Sequence, residues 1–138
     1  MAERAALDSN VLIYAIAGSG AKRARARDLL AAGGVIPVQA LNETAHVLRR
    51  KAGMALDEVA EALSVLRAVG EVVPMTLAVH EGALRVAGEA GYSIWDAAMV
   101  AAAQEAGCDT LWSEDMQDGR VLGRLTIRNP FAGGPQQV

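Results

Sequence analysis

Aromatic residues are scarce in this chain, 4% of 138 residues, so its core must be built mainly from alanine, valine and leucine. Cysteine is scarcer still. Cys108 is the only one, which excludes an internal disulfide and reads as a small buried hydrophobe at the start of a strand. The two histidines, His46 and His80, have neither cysteine partners nor zinc-type spacing, so they read as structural or surface residues. No apolar run reaches the length of a membrane span. The opening Met1-Ala2-Glu3-Arg4 lacks a charged region followed by an apolar one. That predicts no export, and with the lone thiol it predicts a cytoplasmic location.

Apolar residues make up 52% of the chain against 21% charged, which argues for a folded domain large enough for a real core. Strands are expected at Arg4–Leu7, Val35–Val38, Val72–Val73, Thr110–Trp112 and Leu125–Arg128. Between them, helices are expected over Ser9–Ala17, about Ala21–Ala32, Leu41–Ala52, Asp57–Val69, Thr76–Ala90 and Ser93–Ala106, most of them stopped by glycine. Alternating strands and helices imply an α/β fold with a central parallel sheet of about five strands and helices on both faces. No interdomain linker is visible. One domain spans residues 1–131, and a loose tail is expected over 132–138.

Ligands of such sheets bind outside the carboxyl ends of the strands, and that is where acids recur. Asp8 and Asp115 follow the first and fourth expected strands, while Glu43 and Asp96 fall in the opening turns of helices. Each has a structural explanation of its own. Asp8 suits a helix N-cap, and Asp96 pairs with Ser93 in the spacing of a capping box. Glu43 suits a first helical turn and Asp115 a tight turn. Trp95, beside Asp96, reads most simply as core packing rather than a base-stacking platform. If the fold gathers the four carboxylates, they cannot all ionise without a positive partner, and hard cations such as Mg²⁺ or Mn²⁺ suit oxygen ligands. Asn10 and Ser113 offer an amide and a hydroxyl near Asp8 and Asp115.

The net charge of −3 does not exclude a polyanionic substrate, because the four acids carry −4 and leave the rest of the chain at +1. Lys22, Arg23, Arg25 and Arg27 form one basic cluster, and Arg49, Arg50 and Lys51 another. Either can be a phosphate-holding surface or an ordinary solvated helix face.

The segments "LDSNVLIYA", "NETAHVL", "IWDAAMVAAA", "LWSEDMQDG" and "LTIRNPF" together resemble the PIN-domain family, and more narrowly the VapC-type toxin ribonucleases of bacterial type II toxin–antitoxin pairs. The resemblance covers nearly the whole chain. It implies that Asp8, Glu43, Asp96 and Asp115 are catalytic metal-site acids supported by Asn10 and Ser113. Where many relatives carry a further acid this chain has Gln117, so Asp118 stands as a substitute. The implied activity is hydrolysis of RNA phosphodiester bonds with one or two Mg²⁺ or Mn²⁺ ions. The implied partners are a second copy of the chain in a homodimer and a cognate antitoxin. That antitoxin would lay an amphipathic segment on helices bearing Leu29, Leu30, Leu63 and Leu66, with an Arg or Lys reaching the acids.

Other acidic α/β sites fit less well. A haloacid-dehalogenase-type phosphatase needs Asp-x-Asp where this chain has Asp8-Ser9-Asn10, and a phosphorelay receiver needs a lysine near Arg128. A PIN scaffold that binds nucleic acid or a partner without cutting, or one directed at DNA, is the remaining alternative.

Overall fold

Directly after a three-residue strand, the chain turns into a helix through a single aspartate. This junction anchors the computed structural model, which describes residues 3–132. The strands are β1 (Ala5–Leu7), β2 (Val35–Pro37), β3 (Glu71–Val73), β4 (Thr110–Trp112), β5 (Val121–Leu122) and β6 (Leu125–Arg128). The helices are α1 (Ser9–Ala17), α2 (Gly20–Ala31), α3 (Val38–Arg50), α4 (Leu56–Val69), α5 (Leu77–Ala90) and α6 (Ile94–Glu105). They enclose one sheet in the order β3-β2-β1-β4-β6-β5, parallel except for β5 against β6. The expected tail lies almost entirely in 133–138, outside the described residues.

Strand order reverses at β1, with β2 on one side and β4 on the other. A crevice opens at such a switch point because the crossover helices leave in opposite directions. Asp8 closes β1 at that crevice, and its N–H donates to the carbonyl of Trp112 at 3.0 Å, the end of β4. The two strand ends are thereby stitched together beneath the site.

The shortage of aromatics has a visible packing consequence. Helix α6 buries Ala97 to Ala103 almost all round, and α5 packs against it. A Cβ on Gly82 of α5 would stand 3.2 Å from the Ala101 Cβ, so the two helices approach through small residues. Small side chains bury less area each but permit close backbone approach, which restores packing density. Gly91 ends α5 in the left-handed region at φ 72°, a conformation that costs glycine nothing.

Four expectations need correction. Helix α3 starts at Val38, three residues earlier than expected, with Pro37 as its N-cap. A proline there loses no helical hydrogen bond, so strand passes to helix without a loop. Glu43 consequently sits in the second turn, beyond the pull of the helix dipole. The sheet also gains β5, two residues turned antiparallel onto β6, too short to show a period. Trp95 is 68% exposed, because its position on the first turn of α6 faces away from the sheet. Leu30 and Leu66 are buried, and Leu29 and Leu63 pack partly against the core, since α2 and α4 touch each other. The exposed apolar residues of α4, β3 and α5 are instead Leu56, Val65, Val69, Val72, Leu77 and Leu84. Among the described residues no helix is long and apolar enough to cross a membrane.

Candidate active site at the carboxyl edge of the sheet

Asp8 is only 5% exposed, yet both of its oxygens are occupied. The Ser9 N–H donates to Oδ1 at 2.7 Å, so the residue does cap α1. The Ser113 hydroxyl donates to Oδ2 at 2.7 Å, and the Asn10 amide to the same oxygen at 3.2 Å. Burial pushes the Asp8 carboxyl up to about 6, further raised by Glu43 and Asp115, while the bonds from Ser113 and Ser9 hold it down. A capping role alone would leave Asp8 in solvent with an ordinary pKa. The structural reading is therefore correct and incomplete.

Ser113 is fully buried at the end of β4 and works in both directions. Its Oγ accepts the N–H groups of Asp115 at 3.2 Å and Met116 at 3.3 Å. With two donors aimed at its lone pairs, the hydroxyl proton is left to point at Asp8. Asn10 is the second brace. Its Nδ2 bridges Asp8 Oδ2 and Asp115 Oδ2, each at 3.2 Å, and its Oδ1 accepts the Glu114 N–H at 3.1 Å. One turn of α1 thus fixes the loop after β4, more than a hundred positions away in the chain.

Glu43 and Asp96 face this pair from α3 and α6. Burial raises the Glu43 carboxyl, countered by hydrogen bonds from Ser9 and Gln39 and reinforced by Asp96 and Asp115. Asp96 is raised by burial and by Asp115. Its own N–H is capped by Ser93 Oγ at 3.2 Å, the backbone half of the expected capping box. The four acids therefore share one electrostatic field. None of them takes part in the three ion pairs among the described residues.

Other expected participants are engaged elsewhere. Asp118 accepts the Asn129 N–H at 2.9 Å, which ties it to the chain after β6. Lys22 binds Glu114 at 2.7 Å and lies over the Tyr14 and Phe131 rings. Arg25 covers the Trp112 ring and donates to the Pro130 carbonyl, and Arg27 donates to the Ala15 carbonyl. Of that cluster only the Arg23 side chain has no partner among the described residues. Arg49, Arg50 and Lys51 end α3, about 10 Å along the axis from Glu43. Gln39 was not singled out from the sequence, yet its Nε2 joins Glu43 Oε2 at 3.1 Å to the Trp95 carbonyl at 2.8 Å. Its spacing of four from Glu43 becomes a signal only once α3 is known to start at Val38.

The donor set suits a hard divalent cation: four carboxylates with oxygen donors only, three of them raised by burial and by one another, and no basic side chain paired to them. Among the described residues no three acid, histidine or cysteine side chains yet converge on one metal position. Asp96 and Asp115 are exposed, Asp115 with a single side-chain bond from Asn10, whereas Asp8 is buried and held through both oxygens.

Similarity to known proteins follows the same lines. Solved structures share the fold at low identity. The toxin VapC20 of Mycobacterium tuberculosis, described as cleaving the sarcin-ricin loop, aligns with a TM-score of 0.65 and 21% identity over 80% of this chain and 89% of that one. A toxin–antitoxin complex from Klebsiella pneumoniae gives 0.69 and 18%, over 92% and 98%. DNA-bound VapBC of Salmonella typhimurium gives 0.72 and 13%, over 94% and 99%. No curated protein matches the chain. The family model for the PIN domain matches residues 5–118, taking in β1 through the loop after β4 and with it all four acids, so the chain belongs to the PIN-domain family.

Proposed function

We propose that this protein is a divalent-metal-dependent endoribonuclease, the toxin of a type II toxin–antitoxin pair. One observation carries the reading: Asp8, Glu43, Asp96 and Asp115, from four separate segments, share one crevice with no basic side chain paired to them. Four uncompensated carboxylates are costly in a purely structural role. The toxin assignment draws on fold likeness to the toxins above.

These four residues would hold one or two Mg²⁺ or Mn²⁺ ions. Such an ion, when bound, lowers the pKa of a water and polarises a phosphate. The protein's own contribution is placement. Ser113 and Asn10 lock the Asp8 carboxylate and aim the Asp115 loop, Ser93 stiffens the turn carrying Asp96, and Gln39 sets Glu43 against α6. Neither histidine hydrogen-bonds to the acids, which suits hydrolysis in which a bound ion, and not an imidazole, would activate the water. The partners proposed are RNA as substrate, a second copy of the chain and an antitoxin that supplies a basic side chain to the acids.

Incubating the protein with total RNA and with single-stranded DNA tests this. Cleavage of RNA that stops with EDTA and returns with Mg²⁺ or Mn²⁺ is expected. Undiminished cleavage in chelator sinks the metal mechanism, and cleavage of DNA alone moves the protein to the DNA-directed alternative.

A further inference from the structure

Beside the acids runs a groove of 810 Å³ between α3 and the start of α6, lined by Ser9, Gln39, Asn42, Glu43, His46, Val47 and Trp95. Its apolar wall is Trp95, 68% exposed in a chain with only five aromatic residues. The other four are engaged. Tyr14 and Phe131 meet edge to face at 4.9 Å, Arg25 lies over Trp112, and Arg120 over Tyr92. Among the described residues only the Trp95 ring has no ring or cation against it. An exposed indole keeps a large flat apolar face open to stacking.

The backbone that carries the indole is also held. Gln39 clamps the Trp95 carbonyl at 2.8 Å, and Ser93 caps the turn one residue further on. A backbone fixed before binding leaves only the side chain to be ordered when a ligand stacks on the ring. Val47 adds to the apolar wall, and the remaining lining side chains are polar. The side chains of Asn42 and His46 are exposed on α3 and make no hydrogen bond to another described residue, so their side-chain donors and acceptors stand open. Glu43 belongs to this groove and to the acid cluster alike, and Asp96 directly follows Trp95.

A flat aromatic wall facing open hydrogen-bonding groups, continuous with a phosphate-handling site, matches an unpaired nucleobase. An apolar protein side chain would leave the Asn42 amide and the His46 imidazole buried without partners. We propose that the Trp95 groove is a nucleobase subsite: one unpaired base of the RNA substrate stacks on the Trp95 indole, with its edge toward Asn42 and His46, while the adjoining phosphate lies at the acids. The subsite rests on the ribonuclease reading and narrows it. The substrate must be single-stranded at the nucleotide next to the cut, because a paired base cannot present its face.

Binding without turnover tests this directly. The Asp8→Asn protein in Mg²⁺ is titrated with fluorescein-labelled oligoadenylate, oligocytidylate and oligouridylate, with and without one abasic position. Adding Trp95→Ala should weaken binding by about tenfold to a hundredfold, the range for one base–aromatic stack, and adding Trp95→Phe should weaken it far less. Moving the abasic position should find one site whose loss matches that of Trp95→Ala, with no further loss when the two are combined. On the Trp95→Ala protein without the Asp8 change, cleavage of single-stranded RNA should fall in parallel. Equal affinity and cleavage with and without Trp95 overturn the subsite and leave the ribonuclease reading standing. Equal loss on abasic and intact RNA overturns it too, showing that Trp95 only shapes the fold. A Trp95→Ala protein that binds RNA normally but loses a protein partner assigns the groove to that partner. Absence of RNA binding and cleavage by every form of the protein ends the ribonuclease reading and the subsite together.

Discussion

The two edges of the sheet treat their acids in opposite ways. At the amino edge, Arg4 meets Glu71 at 2.9 and 3.1 Å through its two terminal guanidinium nitrogens, and Arg124 meets Asp109 at 3.2 Å. These pairs lie at the starts of β1, β3, β4 and β6 and are open to solvent. At the carboxyl edge Asp8, Glu43 and Asp115 accept hydrogen bonds from amides or hydroxyls, and neither they nor Asp96 are paired with a cation. Arg4 holds the Glu71 carboxyl below its ordinary value, while burial and mutual repulsion push Asp8, Glu43 and Asp96 above theirs. Acids at the amino edge are thus paired, whereas at the carboxyl edge Glu114 has Lys22 and these four are left short of positive charge. Exposed pairs contribute little to stability. The contrast points to the carboxyl edge as the place where positive charge arrives from outside.

The largest difference should appear in cleavage. Asp96→Asn should lower RNA cleavage by about a hundredfold to a thousandfold, the usual loss for one electrostatic stabiliser, with the thermal midpoint held or raised. Glu71→Gln should cleave as the parent does. Equal losses at the two edges, in gel assays with protein confirmed folded by circular dichroism, would erase the functional distinction.

Stability against pH should separate the edges by sign. The folded-state value of Asp8 lies at about 6 against an ordinary 3.8, so the folded protein holds an extra proton between the two. Its contribution therefore favours folding at low pH and is lost as pH rises toward the folded value, a cost of about 3 kcal/mol once Asp8 is ionised. Glu71 runs the other way: its stabilisation stands above its ordinary 4.5 and is lost as pH falls through its lowered value. Urea unfolding in chelator at about pH 5 and about pH 7 should show the Asp8 loss, with Mg²⁺ recovering stability mainly at the higher pH. A metal effect of equal size at both would sever Asp8 from cation binding.

Ser113→Ala sharpens the comparison within the carboxyl edge. It strips one donor from a buried carboxylate and one acceptor from two backbone N–H groups, a loss of about 1–3 kcal/mol. Activity should fall about tenfold to a hundredfold, as for other residues that orient metal ligands. Unchanged kinetics in a destabilised variant would mean that Ser113 serves the fold alone. The smallest effect belongs to Arg4→Gln, expected to cost about 1 kcal/mol or less in urea unfolding and to vanish in high salt.

Much of this was readable along the chain because the signals are local. Gly91 stops α5, Thr76 and Ser93 cap α5 and α6, and Asp8 caps α1, each acting within one turn. Cys108 is buried, as its type and setting implied. The start of α3 was misjudged because Pro37 offers no side-chain cap to read. Trp95 was misjudged because an aromatic on an alanine-rich helix looks like core until its face of that helix is known.

The sequence by itself determined the order of elements, the small-residue core and the identity of the acids, since these follow from side-chain type and short-range backbone preference. Only the tertiary structure decided which charges are compensated and which surfaces stay open. Lys22 looked available for phosphate until packing set it against Glu114, 92 positions away. Asp8 looked like a helix cap until the fold buried it and raised the cost of its charge, a cost that the Ser113 hydroxyl, 105 positions away, offsets in part. Charge compensation and desolvation depend on distance in space, and in this fold the distances that matter are set where β1 meets β4.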